Sequence, residues 1–226
     1  MTDLSIQPAP LVPFQSDWIF WVFFGIFLLI AWIQVFYASR LRLIFRASFF
    51  TRDLHQLIRE GNIFNQRISI AVSLLYVLIL AMVILMTLQM VFDRTSFSIS
   101  PIRLYFLLAL VVTGFWALKA FIMNFLSVIF KTETINYEYQ VNLFVTLAVL
   151  AILLLPVMVI TVYLKMAWMI YFAFGLIVFF SVFRLFKGFL IGLSLTRFSY
   201  FFLFVYLCTL EILPLLVAAK LILTYF

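Results

Sequence analysis

The sequence predicts an all-α integral membrane protein: a bundle of six transmembrane helices with a cytoplasmic, interfacial amphipathic helix after the first. Three observations predict it. Of 226 residues, 68% are hydrophobic and only 10% are charged, more apolar surface than a soluble domain of this size can hide. Six apolar stretches reach the length of about 20 residues that a helix needs to cross the hydrocarbon core. The basic residues gather at the ends of those stretches, where they act as topology signals and contacts for anionic lipid. The formal charge of +7 is therefore read as membrane-directed, with no nucleic acid expected as a partner.

The first span is placed at 18–37. No Lys or Arg precedes Arg40, so the basic start of a cleaved signal peptide is missing and the segment is expected to stay. A linker at 40–67 follows. Its Leu43, Ala47, Phe50, Leu54, Leu57 and Ile58 recur at steps of three and four, while Arg46, Asp53, Gln56, Arg59 and Glu60 fall mainly elsewhere. This is a helix with one apolar face, and Gly61-Asn62 stops it. Arg40, Arg42, Arg46, Arg52 and Arg59 would lie on anionic headgroups; a docking surface for a cytoplasmic partner is the alternative.

Further spans are placed at 68–91, 104–130, 141–164, 168–186 and 200–223. The linker carries six arginines including Arg67, and the loop after the fifth span carries Arg184, Lys187 and Arg197. Positive-inside bias puts both on the cytoplasmic side and both termini outside. The segment 188–195 could instead dip back into the interface. No internal repeat and no second domain is visible, so 1–226 is read as one polytopic domain.

Groups that chemistry requires are sparse. The one histidine, His55, and the one cysteine, Cys208, are far apart, so no zinc set of Cys and His forms. Asp3, Asp17, Asp53 and Asp93 all lie at ends or in loops, and no phosphate loop or paired-Asp cluster is present. The expectation is a protein that is not an enzyme and carries no metal or cofactor.

Polar residues inside the spans are the candidates for function. Glu211 stands alone near the middle of 200–223, and a carboxylate at that depth is costly without a partner or a proton. Lys119 lies at a similar depth and is the first candidate partner; Arg184 is the second. Lys119 snorkelling to the interface and a protonated, hydrogen-bonded Glu211 are the structural alternatives. Pro214 frees a backbone carbonyl beside Glu211; Pro156 sits similarly in the fourth span. On the third span Thr113, Ala117, Ala120, Asn124 and Ser127 form a small, weakly polar stripe suited to close packing. Lys119 falls roughly 120° from that stripe and is expected to face a different neighbour.

The closing run Tyr206-Leu-Cys-Thr-Leu-Glu-Ile-Leu-Pro-Leu-Leu216, with Lys220 after it, resembles the end of a family of small multi-pass membrane proteins of Bacteroidota, known only as a domain of unknown function. That resemblance implies an inner-membrane location in a Gram-negative bacterial cell, which would put both termini in the periplasm, and draws attention to Glu211, Pro214 and Lys220. It implies no activity. The leading expectation is an assembly factor or subunit of an envelope complex, bound to a membrane-protein partner or to a second copy. A small ion-coupled transporter with Glu211 as coupling acid is the alternative.

Overall fold

The computed structural model describes residues 17–49, 54, 57–58, 67–91, 100–129, 133–164, 166 and 168–194. They form five helices: α1 (Asp17–Phe49), α2 (Arg67–Val91), α3 (Pro101–Ile129), α4 (Glu133–Leu164) and α5 (Trp168–Ser194). There is no strand among the described residues. All five helices are long and apolar enough to cross a membrane. In hydrocarbon a backbone has no water to bond, so a spanning segment closes its own hydrogen bonds as a helix. The expected sixth span at 200–223 lies outside the described residues.

Helix ends follow local chemistry. Pro101 opens α3, at a position where the missing N–H costs nothing. α4 runs unbroken through Pro156, whose ring lies on an exposed face. α5 continues as one helix to Ser194, so 188–194 prolongs that helix without a turn back.

Two helices form the centre. The most apolar stretches of α2 and α4 are 61% and 72% buried, against 22%, 17% and 22% for α1, α3 and α5. α4 packs against all four other helices, and so does α2. One core cluster joins Phe23, Ile26, Met82, Leu85, Leu150 and Leu154. Ring contacts mark one end of the bundle: Trp18 meets Tyr105 at 5.8 Å between centroids, and Phe23 meets Tyr163 at 6.2 Å.

The other end is the basic end, with Arg40, Arg42, Arg46, Arg184 and Lys187. Here the expected linker helix takes a different form. Its first part is a continuation of α1 beyond an irregular backbone at Tyr37 (φ −134°, ψ 28°). Its apolar face is turned onto the protein. Ala47, Leu54 and Leu57 are buried in a second cluster with Ile68, Val72, Val141 and Val145, and Leu43 and Ile58 pack against it. The apolar face of the linker therefore closes the bundle's own end. Arg52 and Arg59 lie outside the described residues.

Candidate functional site

Two polar features distinguish the basic half of the bundle. The first is a cavity of about 460 Å³ between α2, α3 and α4. Its apolar wall includes Leu74, Trp116, Met123, Leu143 and Leu147. Ser69, Ser73, Thr113, Lys119 and Gln140 add polar groups. Lys119 is the one charged side chain among the described lining residues. The small residues Thr113, Ala117 and Ala120 line the same space. This corrects two expectations. The stripe borders a cavity at these three positions, instead of seating a neighbouring helix closely. Lys119 shares that cavity with the stripe, because the opening takes in a broad arc of α3.

Asn124 closes one rim. Its Oδ1 accepts from Asn136 Nδ2 at 3.1 Å and from Gln140 Nε2 at 2.6 Å. These bonds tie α3 to α4 where the polar start of α4 leaves the apolar span. Ser127 Oγ and Thr113 Oγ1 donate to carbonyls of their own helix, those of Asn124 and Ala109. Tyr76 reaches the cavity from α2, stacks edge-on to Trp116 at 5.8 Å, and lies within electrostatic reach of Arg184 on α5.

The second feature is Lys187. The sequence reading placed it in a cytoplasmic loop; it is only 4% exposed. Its ammonium donates to the carbonyl oxygens of Ala47, at 3.1 Å, and Ser48. Those carbonyls belong to the last turn of α1, whose final C=O groups have no partner within their own helix. The Phe183 ring lies 5.6 Å below the ammonium. Lys187 is thus a cap supplied by one helix to the end of another. A signal for it exists in the sequence. Ala173, Phe180 and Lys187 are spaced by seven, and the first two are also buried, so heptad spacing places the lysine on the inward stripe of α5.

Beside it, Gly188 allows a close approach of α5 to α4. A Cβ there would meet the Tyr139 ring at 3.1 Å. One turn along α4, Asn142 is fully buried. Neither atom of its carboxamide has a hydrogen-bond partner among the described residues. Sequence reasoning missed it, because a single Asn near a span end carries no pattern.

Of the predicted site residues, the structure brings Lys119 and Asn124 to one cavity and its rim. Arg184 is on α5 near Tyr76. Glu211 and Pro214 lie outside the described residues. Among the described residues, no group of three or more His, Cys, Asp or Glu is placed to hold a metal.

Comparison with known proteins bears on this arrangement directly. Residues 19–222 match the family model of a domain of unknown function (DUF4271). The chain belongs to the DUF4271 family. The match takes in all five helices and the cavity between them. No curated protein and no solved structure matches the chain.

Proposed function

We propose that this DUF4271 protein is a non-enzymatic subunit or assembly factor of an envelope complex in a bacterial inner membrane. The observation that carries the reading is the state of α3. Only 17% of its most apolar stretch is buried, and it presents Phe106, Leu110, Leu118, Phe121, Phe125 and Val128 outward along its length. A continuous aromatic and aliphatic face on a 29-residue helix offers the area and the rigid anchors that an in-membrane contact uses. The basic end would face the cytoplasm by positive-inside bias, with 200–223 as a further span.

The test is gentle purification of the tagged chain from its native membranes, followed by mass spectrometry. The expected result is one membrane protein retained in fixed ratio through washing, and retained equally by Glu211→Gln. Recovery of the chain alone would count against the reading.

A second reading is a small ion-coupled transporter. The cavity beside Lys119 favours it, since a carrier needs a polar chamber within the span. It requires proton-linked uptake into liposomes that Glu211→Gln abolishes.

A further inference from the structure

The cavity between α2, α3 and α4 lies between two ties. On one side Tyr105 of α3 donates to the Leu78 carbonyl of α2. On the other, Asn124 of α3 accepts from Asn136 and Gln140 of α4. Between these ties the lining on α3 runs from Thr113 to Met123, roughly 15 Å at helical rise. That is about half of the ~30 Å hydrocarbon thickness, the depth of one leaflet. The cavity starts near the basic end, with Ser69 and Gln140, and reaches Val77 and Leu147 toward the middle of the bundle. It also opens sideways. Ile70 and Leu74 on α2 and Thr113 and Ala117 on α3 are exposed, so the gap between these two helices faces the surface that lipid covers.

The lining is more apolar than its hydroxyls and amides suggest. Ser73 donates to the Ile70 carbonyl at 2.9 Å, and Thr113 to that of Ala109 at 2.8 Å. Gln140 donates to Asn124. Those donors are used inside the protein. Lys119 also has an interaction within the protein, and the site asks nothing of its charge. Most of the remaining wall is hydrocarbon and ring, from Trp116, Met123, Leu143, Phe144 and Leu147. Such a wall gives water too few partners to hold it. Leaving about 460 Å³ unfilled is strongly destabilising. An apolar chain drawn from the surrounding lipid satisfies both conditions.

From this we propose that the cavity is a binding site for one acyl chain of a phospholipid in the leaflet on the basic side. The chain enters between α2 and α3 and lies along Leu143, Leu147 and Trp116. Its glycerol end is level with Asn124 and Gln140. The volume is within the range of specific ligand sites, roughly 300–1,000 Å³, and the length is that of one leaflet. Recognition is of the chain and is indifferent to headgroup charge. The proposal is independent of the partner reading above.

The test uses the full chain, purified and reconstituted in phosphatidylcholine vesicles. A small share of the lipid carries a photoreactive diazirine at mid-chain. After illumination, adducts are mapped by proteolysis and mass spectrometry. Bulk lipid should label Phe20 and Phe24, on the outward face of α1. Leu143 and Leu147 are only 5% and 7% exposed, so an adduct there reports a chain inside the cavity. Wild type should give adducts at both sets of positions. Ala117→Phe and Ala120→Phe each fill the space from α3. Each should cut the α4 adducts roughly tenfold, as expected when a chain loses most of its contacts in the cavity. The α1 adducts should stay unchanged, showing that the bundle is intact. Phosphatidylglycerol with the same photoreactive chain should give the same α4 adducts. Wild type without adducts at Leu143 and Leu147 would overturn the proposal, because the space would then be filled by protein or water. Undiminished α4 adducts in both variants, or adducts from one headgroup alone, would also overturn it. So would α4 labelling by a trace of the free photoreactive fatty acid far above its share, which would make the site one for the free acid.

Discussion

Replacing Lys187 by methionine removes the ammonium while keeping most of the stem that packs on Phe183. Two buried acceptors, the carbonyls of Ala47 and Ser48, then lose their donor. A buried carbonyl left unpaired costs about 1–3 kcal/mol, so the pair costs roughly 2–6 kcal/mol. Against this stands the relief of no longer holding a cation out of water, a penalty already reduced in the native protein by those two bonds and by the ring below. The balance is a net destabilisation of about 2 kcal/mol. For a chain of this size that is a fall of roughly 4–8 °C in Tm. Thermal unfolding in detergent, followed by intrinsic fluorescence, measures the fall. Hydrogen exchange should localise it: amides in the last turn of α1, around Arg46 to Ser48, should exchange faster while those of α2 hold. A Tm within about 1 °C of wild type, with no change in exchange at α1, would refute the capping argument.

Other substitutions probe the remaining polar contacts. Asn142→Leu should leave stability unchanged or raise it by about 1 kcal/mol, because it removes a buried carboxamide that makes no bond; a large loss on thermal unfolding would mean that the amide has a partner. Tyr105→Phe should cost about 1 kcal/mol by removing the bond from its hydroxyl to the Leu78 carbonyl, 3.2 Å long, and denaturation in mixed micelles would detect it. Asn124→Leu deletes the acceptor shared by Asn136 and Gln140. It should lower stability by roughly 0.6–1.7 kcal/mol, as interhelical polar contacts in membranes do, and double-mutant cycles with Gln140→Leu should show coupling between the two positions.

Five of the six expected spans correspond to helices long and apolar enough to cross a membrane, legible because hydropathy and length both report what lipid requires. Their ends were less so. α4 begins at Glu133, ahead of the apolar stretch at 141, and α1 runs past Tyr37 to Phe49. Hydropathy reports where lipid begins, whereas a helix continues as far as its own hydrogen bonds allow. Of the apolar positions read in the linker, Ala47, Leu54 and Leu57 are buried against the protein, a partner the pattern did not name. An amphipathic pattern shows that a face must be buried and leaves open whether lipid or protein buries it. Here Val141 and Val145 of α4 share the second cluster with Ala47 and Leu54, a contact across a long stretch of chain that no local pattern carries. The same holds for Lys187: a basic residue near a span end reads as a topology signal, and only its register with Ala173 and Phe180 places it inside. Lys119 was read as a cation within a span, either paired with Glu211 or snorkelling to the interface. The arc of α3 that opens onto the cavity depends on how α3 and α4 splay, which side-chain spacing alone does not fix.

The partner reading is tested most directly by site-specific photo-cross-linking in living cells. A photoreactive residue at Phe121 or Phe125, on the outward face of α3, is compared with one at Phe20 or Phe24 on the outward face of α1. The account predicts a discrete adduct of a single second membrane protein from the α3 positions and lipid labelling alone from α1. Lipid adducts or intrachain links from both faces, with no second protein on α3, would contradict it.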